Sequence, residues 1–163
     1  MLAGRGRVTQ MPIRWTDVYD DMICAFEGDG ISDRLLEQLG VDGWRDGGCH
    51  AFAIALQAVL GAGTLCAVGE HRLAHHSVLR IGDRYLDIKG AHTMVELSAQ
   101  VFELAGRPLD FFPIQNDTFV ADTGDERFQR RLRKALSAFL ADVDIPDADI
   151  PREDVIPVGG GND

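Results

Sequence analysis

The sequence has few of the features that mark secreted, membrane or disulfide-stabilised proteins. Only three of its 163 residues are cysteine, an odd number without the C-x-x-C spacing of zinc sites, so we expect no disulfide framework. No apolar run approaches the roughly 20 residues that span a bilayer. The early arginines Arg5 and Arg7 are not followed by an apolar segment, so we predict no signal peptide. These absences favour a reduced, cytoplasmic protein that does not contact membranes.

Positive charge is also scarce in this chain. There are 16 lysines and arginines against 26 aspartates and glutamates, which gives a formal net charge of −10 at pH 7. Nucleic acids and anionic membranes attract basic surfaces, so the composition argues against both as partners. Hydrophobic residues make up 45% of the chain, which is enough for one folded domain of this length.

Charge and proline divide the chain into a folded part and a tail. Residues 142–163 contain seven acidic residues and a single arginine. They repeat an Ile-Pro step at Ile145, Ile150 and Ile156. Proline at this spacing excludes a helix, so we expect one domain over residues 1–141, with residues 1–12 mobile, followed by an extended acidic tail. The tail is either solvated or a peptide that lies in a groove of its own domain or of a protein partner, through residues 143–158.

Residue patterns predict an α+β domain in which helices flank a short antiparallel sheet. The predicted helices cover residues 17–26, 33–39, 49–60, 94–104 and 126–141. Thr16, Ser32 and a capping box of Thr93 and Glu96 are predicted to begin three of them. The predicted strands cover residues 64–68, 76–81, 84–88 and 109–114, and Pro113 makes the last an edge strand.

Cys49 occupies the position in this pattern that best suits a reactive thiol. It follows Gly47 and Gly48 and begins the predicted helix. The free N–H groups and the positive dipole end at a helix start stabilise a thiolate, and the same N–H groups can hold an oxyanion. The alternative is a small apolar residue packed on the core side of the helix.

A predicted hairpin brings a histidine and an aspartate to one face of the sheet. A two-residue turn at Gly82-Asp83 sets the register. The expected pairs are Ile81 with Arg84, Leu79 with Leu86, and Val78 with Asp87. In this register Asp87 lies diagonally across from His76, about 7 Å away at the backbone, so the carboxylate can orient the imidazole. A slip of one residue would instead turn Asp87 to the other face and toward water.

These segments resemble the papain-like superfamily of cysteine peptidases and transferases. Residues 47–53 (GGCHAFA) resemble its nucleophile helix, residues 76–82 (HSVLRIG) its histidine strand, and residues 85–87 (YLD) the strand of the orienting acid. The short sequence separation between the cysteine and the histidine is similar to that in the transglutaminase-like, arylamine-acetyltransferase-like and NlpC/P60-like branches. An aspartate as the third residue of the triad is similar to the first two of these branches. Residues 46–90 also resemble small uncharacterised phage and bacterial proteins.

The resemblance implies a papain-like core and thiol-dependent acyl chemistry without a cofactor. Cys49 would attack a peptide, amide or ester-type carbonyl, His76 would move the proton, and Asp87 would orient His76. Transfer of the acyl group to water, as in a peptidase or deamidase, and transfer to an amine both stay open. Residues 42–46 lack the glutamine that donates to the oxyanion in papain-like peptidases.

Other residues would therefore have to contact the substrate or the oxyanion. Gly48, Trp44 and His50 are the predicted residues, with Arg45 or backbone amides as alternatives. His50 would either fill the place of an aromatic residue that many relatives carry after the cysteine or act as a second base.

Two competing interpretations involve other groups. The histidines and cysteines lack zinc-site spacing, so we predict no metal site, and zinc binding is the weakest alternative. His75 competes with His76 as the base, although it is predicted on the face opposite to Asp87. The main alternative function is an inactive papain-like-fold binding module that acts through its acidic tail or through the basic face of helix 126–141.

Overall fold

A computed structural model of the protein describes residues 11–147, and within them the chain forms five helices and five strands. The helices are α1 (Trp15–Glu27), α2 (Gly30–Leu39), α3 (Cys49–Leu60), α4 (Met94–Ala105) and α5 (Glu126–Leu140). The strands are β1 (Thr64–Glu70), β2 (Leu73–Ile81), β3 (Arg84–Asp87), β4 (Gly90–His92) and β5 (Asp110–Pro113). The predicted mobility of residues 1–10 and the predicted tail from residue 148 onward lie outside the described residues.

The strands form one antiparallel sheet in the order β4-β3-β2-β1-β5. This confirms the predicted α+β class, the antiparallel sheet and the edge position of β5. Strand β4 was not predicted. It begins at Gly90, whose φ of +131° suits glycine, and the N–H of Ala91 donates to Oδ1 of Asp20 in α1 at 2.7 Å. Helix α1 therefore holds the start of β4.

The β2–β3 hairpin has the predicted register. Leu79 pairs with Leu86 and Ile81 pairs with Arg84, across a turn at Gly82-Asp83. The ladder ends one step before the expected pair of Val78 with Asp87. Because the register is as predicted, alternation places His76 and Asp87 on the same face as Val78.

Two of the predicted helix caps are wrong. Helix α1 begins after Arg14, which makes no side-chain cap, and Thr16 is buried within its first turn. Helix α2 begins after Asp29, whose side chain accepts from the N–H of Ile31 at 2.8 Å, while Ser32 lies inside the helix. The bounds of α3 and the capping box that opens α4 are confirmed.

Two apolar clusters lie on opposite faces of the sheet. The larger joins α1, α2, α3 and α5 to one face through residues such as Leu79 and Leu86. The smaller includes Val78 and Tyr85 and packs against Leu97 of α4 on the other face. Val143 and Ile145, at the start of the predicted tail, pack partly buried against the larger cluster. No helix in the described part of the chain is long and apolar enough to cross a bilayer.

The loop that leads into α3 is tightly packed around two glycines. Gly47 has a φ of +100°, and a Cβ at this position would lie 2.9 Å from Cγ1 of Val41. A Cβ on Gly48 would lie 3.0 Å from the carbonyl oxygen of Gly43. The start of α3, and with it Cys49, therefore depends on the absence of side chains here.

We expect Gly47→Ala to lower the free energy of unfolding by about 2–3 kcal/mol, because it combines a left-handed backbone with a side-chain clash. Gly61→Ala is the matched control, since Gly61 has a φ of +69° but a Cβ added there would have no neighbour within 4 Å. The control should lose only about 1 kcal/mol. Urea denaturation of both variants measures the difference, and equal losses would contradict the role of the Val41 contact.

Candidate active site

Cys49 is the first residue of α3 and lies beside His76 and Ser77 of β2. Its side chain is hydrogen-bonded to that of His76, and the sulfur also accepts from the backbone N–H groups of Ser77 and His50. Burial opposes ionisation, but these hydrogen bonds and the nearby His76 charge together lower the pKa of the Cys49 thiol. The sulfur therefore has the surroundings of a thiolate.

His76 lies on β2 between the thiol and a carboxylate. Its Nε2 is 2.9 Å from Oδ2 of Asp87, which leaves Nδ1 as the ring nitrogen for Cys49. Burial acts against the charged ring, but the hydrogen bonds to Asp87 and Cys49 outweigh it and raise the pKa of His76 to about 9. Both shifts favour the charged forms of the pair, a thiolate beside an imidazolium.

Asp87 ends β3 and is almost completely buried, with 2% of its surface exposed. Oδ2 accepts from His76 and from Arg45, at 2.7 Å from one guanidinium nitrogen and 3.2 Å from another. Oδ1 accepts from His92 at 2.9 Å and from the N–H of Lys89 at 2.8 Å. A buried carboxylate is stable only with such partners.

The same contacts set the charge and the position of this carboxylate. Burial raises the pKa of Asp87, but the hydrogen bonds from His76 and His92 and the charge of Arg45 outweigh it and hold that pKa well below its usual range. The backbone is fixed as well, because the hydroxyl of Tyr19 in α1 donates to the carbonyl oxygen of Asp87 at 2.7 Å. Asp87 is therefore a charged and immobile partner for His76.

Three residues around Asp87 were not predicted to form this network: Arg45 and His92, which contact the carboxylate, and Gln100, which contacts both of them. Arg45 is predicted only as an alternative oxyanion donor, and His92 and Gln100 have no predicted role. Arg45 comes from the loop before α3, His92 from the short β4, and Gln100 from α4. Gly90 was the available sequence signal for the position of His92. A turn at this glycine lets the chain reverse and run beside β3, where His92 pairs with Tyr85.

Two of the predicted oxyanion donors already donate to other acceptors in the protein. The indole N–H of Trp44 donates to Ser32 at 2.8 Å, and its ring lies in the core with centroids 6.1 Å from Phe26 and 5.6 Å from Phe52. The N–H of Gly48 donates to the carbonyl of Gly43 at 3.1 Å. Each of these two N–H groups therefore already has a hydrogen-bond partner within the protein.

The other predicted participants lie in distinct surroundings. His50 is buried, burial lowers the pKa of its imidazole, and its Nδ1 has no hydrogen-bond partner, while its backbone N–H is the group that contacts the sulfur. His75 is partly exposed, with Nε2 3.7 Å from Glu70. Within residues 11–147, no group of three or more histidine, cysteine, aspartate or glutamate side chains could hold a metal ion.

A cleft of about 330 Å³ opens beside His76. The polar side chains that line it are Arg45, Asp46, His75, His76 and Gln100, and the apolar ones are Val101, Leu104, Ala105 and Leu109. The apolar residues come from α4 and the loop after it. A concave site with one apolar wall and a few fixed polar groups is typical of small-substrate binding.

A comparison of the chain with protein families, curated proteins and solved structures found no match. Any function must therefore be argued from the chemistry of the site itself.

Proposed function

We propose that this protein carries out thiol-dependent acyl chemistry through Cys49, His76 and Asp87, on a papain-like arrangement of helix and sheet. The observation that carries the proposal is the continuous chain of contacts from sulfur to imidazole to buried carboxylate. A core cysteine has no need of an imidazole braced by a charged aspartate, whereas a nucleophile does.

The steps follow from the charges of the three groups. The Cys49 thiolate attacks the carbonyl carbon of an amide, ester or thioester, and the C–S bond forms as the carbonyl oxygen becomes an oxyanion. His76 gives its proton to the leaving amine, alcohol or thiol as the oxyanion collapses to a thioester with Cys49. Water or an amine, deprotonated by His76, then attacks this thioester, and Cys49 leaves as the thiolate while His76 keeps the proton. Asp87 keeps the imidazole oriented throughout.

The state of the three cysteines also suits a reducing compartment. All three cysteines lie within residues 11–147, and none of them forms a disulfide. A thiol nucleophile must stay reduced, so we propose that the protein works in the cytoplasm.

The first test compares two equally buried thiols in the same molecule. Cys49 and Cys66 are each 6% exposed, so a small electrophile such as iodoacetamide meets similar steric hindrance at both. We expect alkylation of Cys49 to be at least about tenfold faster than that of Cys66 at about pH 6, because only a thiolate reacts. Peptide mass spectrometry follows both sites. Similar rates would contradict the proposal.

The second test asks whether the thiol performs acyl transfer. p-Nitrophenyl acetate should release nitrophenolate in a burst while the peptide that contains Cys49 gains an acetyl group. The Cys49→Ser variant should lose both signals, and Cys66→Ser should keep them. If Cys49 alkylates rapidly but never acylates, the thiol is reactive without being an acyl-transfer nucleophile.

The competing proposal is a binding module with an inactive site. It predicts slow reaction at all three thiols and a partner interaction that is lost when residues 143–163 are deleted. The partial burial of Val143 and Ile145 against the domain means that this deletion also needs a stability measurement as its control.

A further inference from the structure

Four side chains close a ring of hydrogen bonds behind the proposed triad. Asp87 accepts from Arg45 on Oδ2 and from His92 on Oδ1. A guanidinium nitrogen of Arg45 also donates to Oε1 of Gln100 at 2.5 Å, and Nε2 of Gln100 lies 3.4 Å from Nδ1 of His92. The ring therefore runs from Asp87 through Arg45, Gln100 and His92 and returns to Asp87.

Arg45 fixes which end of the Gln100 amide points to it. A guanidinium has only donors, so the amide atom that faces it must be the oxygen. The amide nitrogen is then the atom that faces His92. Arg45 is itself held on Asp87 by two nitrogens, so the orientation of Gln100 is not free to reverse.

Gln100 in turn fixes the tautomer of His92. The amide nitrogen can only donate, so Nδ1 of His92 must carry a lone pair and not a proton. The proton of the neutral ring is then on Nε2, which is the nitrogen that donates to Oδ1 of Asp87 at 2.9 Å. This tautomer agrees with both of its contacts, whereas the other would set donor against donor and acceptor against acceptor.

We propose that Gln100 and His92 are positioning residues that hold the Asp87 carboxylate for His76 while keeping His92 uncharged. The inference rests on the proposed function, because Asp87 is taken as the orienting acid. A cationic His92 would compete with His76 for the same negative charge. An uncharged His92 donates one hydrogen bond to Oδ1 and leaves the ionic interaction of the carboxylate to His76 and Arg45.

The first experiment reads the tautomer of His92 directly. Long-range ¹H–¹⁵N correlation spectra of the ¹⁵N-labelled protein distinguish the two neutral tautomers and the cation, and His92→Gln assigns the signals by their loss. We expect the Nε2–H tautomer in the wild-type protein at neutral pH. A ring protonated on Nδ1 alone, or one that exchanges between tautomers, would overturn the proposal.

The second experiment changes the fixing group. In Gln100→Glu the new carboxylate can only accept, so it calls for a proton on Nδ1 while Asp87 still requires one on Nε2. We expect His92 to become cationic in this variant. Gln38→Glu is the matched control, because Gln38 also accepts from an arginine, Arg131, but on the surface. It should leave the His92 signals unchanged, and an unchanged His92 in Gln100→Glu would contradict the inference.

The third experiment connects the ring to the thiol. His92→Leu removes the donor to Asp87, and we expect alkylation of Cys49 to slow by about tenfold, the usual effect of losing a hydrogen bond to a charged group. His92→Gln keeps an N–H in reach of Oδ1 and should restore most of the rate. Equal losses in the two variants would overturn the positioning role.

The two proposals fail in different ways. If Cys49 reacts no faster than Cys66 in the wild-type protein, the proposed function fails, while the spectra still decide the tautomer. If Cys49 is reactive but His92 has the wrong tautomer, the positioning role of Gln100 and His92 fails alone.

Discussion

Replacement of His76 by alanine should slow acylation of Cys49 by about 100-fold or more at neutral pH, the typical contribution of a positioned general acid–base group. Two effects act in the same direction. The thiol loses the imidazolium that lowers its pKa, so less thiolate is present. An amine leaving group also loses its proton donor, whereas nitrophenolate leaves without a proton. The burst of nitrophenolate therefore measures the first of the two effects.

The neighbouring histidine offers a matched control for this variant. His75 also lines the cleft, but its side chain is 38% exposed and its near carboxylate is Glu70. We expect His75→Ala to change the acylation rate less than about threefold, as is usual for a surface substitution. Equal losses in the two variants would assign the base to the wrong residue or show a general loss of structure.

Replacement of Asp87 by asparagine should destabilise the fold by about 3–5 kcal/mol at neutral pH, because it leaves buried cationic groups without their counter-charge. Asp87 is 2% exposed, and it faces both Arg45 and His76. Asp17→Asn is the control, since the Arg14–Asp17 pair is more than half exposed on both sides. It should cost less than about 1 kcal/mol. Urea unfolding of the three proteins gives the comparison.

The pH dependence of the free energy of unfolding tests the His76–Asp87 pair independently. The pKa of His76 is raised in the folded state from 6.5 to about 9. Its contribution to the free energy of unfolding is therefore complete below pH 6.5 and is lost as the pH rises toward 9. The pKa of Asp87 is lowered, so its contribution is present above its ordinary value of 3.8 and is lost as the pH falls. The lowered pKa of Cys49 acts in the opposite direction as the pH rises toward 9, so the test uses Cys49→Ser, which removes that thiol. The stability of this variant should decline on both sides, and adding Asp87→Asn should flatten both slopes. A Cys49→Ser protein whose stability is constant between pH 6.5 and 9 would contradict the ion pair of His76 with Asp87.

Features that depend on neighbouring residues in the chain could be predicted from the sequence. Helix α3 was placed correctly because glycines precede and follow an uninterrupted run of helix-forming residues. The register of the β2–β3 hairpin was predicted because a two-residue turn leaves only one pairing. These two local features were enough to bring Cys49, His76 and Asp87 into one hypothesis.

Features decided by distant contacts could not be predicted in this way. Ser32 has the chemistry of a helix cap, but its hydroxyl accepts from the indole of Trp44, and Asp29 caps the helix instead. The same contact occupies the indole N–H of Trp44. The places of Arg45 and His92 around Asp87 depend on how a loop and a three-residue strand meet in space. The spacing of residues along the chain does not predict such contacts.

The position of Asp87 depends on helix α1, which lies early in the chain. The Tyr19 hydroxyl reaches the backbone of Asp87 across 68 residues of sequence, and Asp20 holds Ala91 across 71. During synthesis these two anchors leave the ribosome well before the strands they fasten. A shortened protein that starts after Tyr19 and Asp20 would retain its thiol and its imidazole but would lose both anchors of the segment around Asp87.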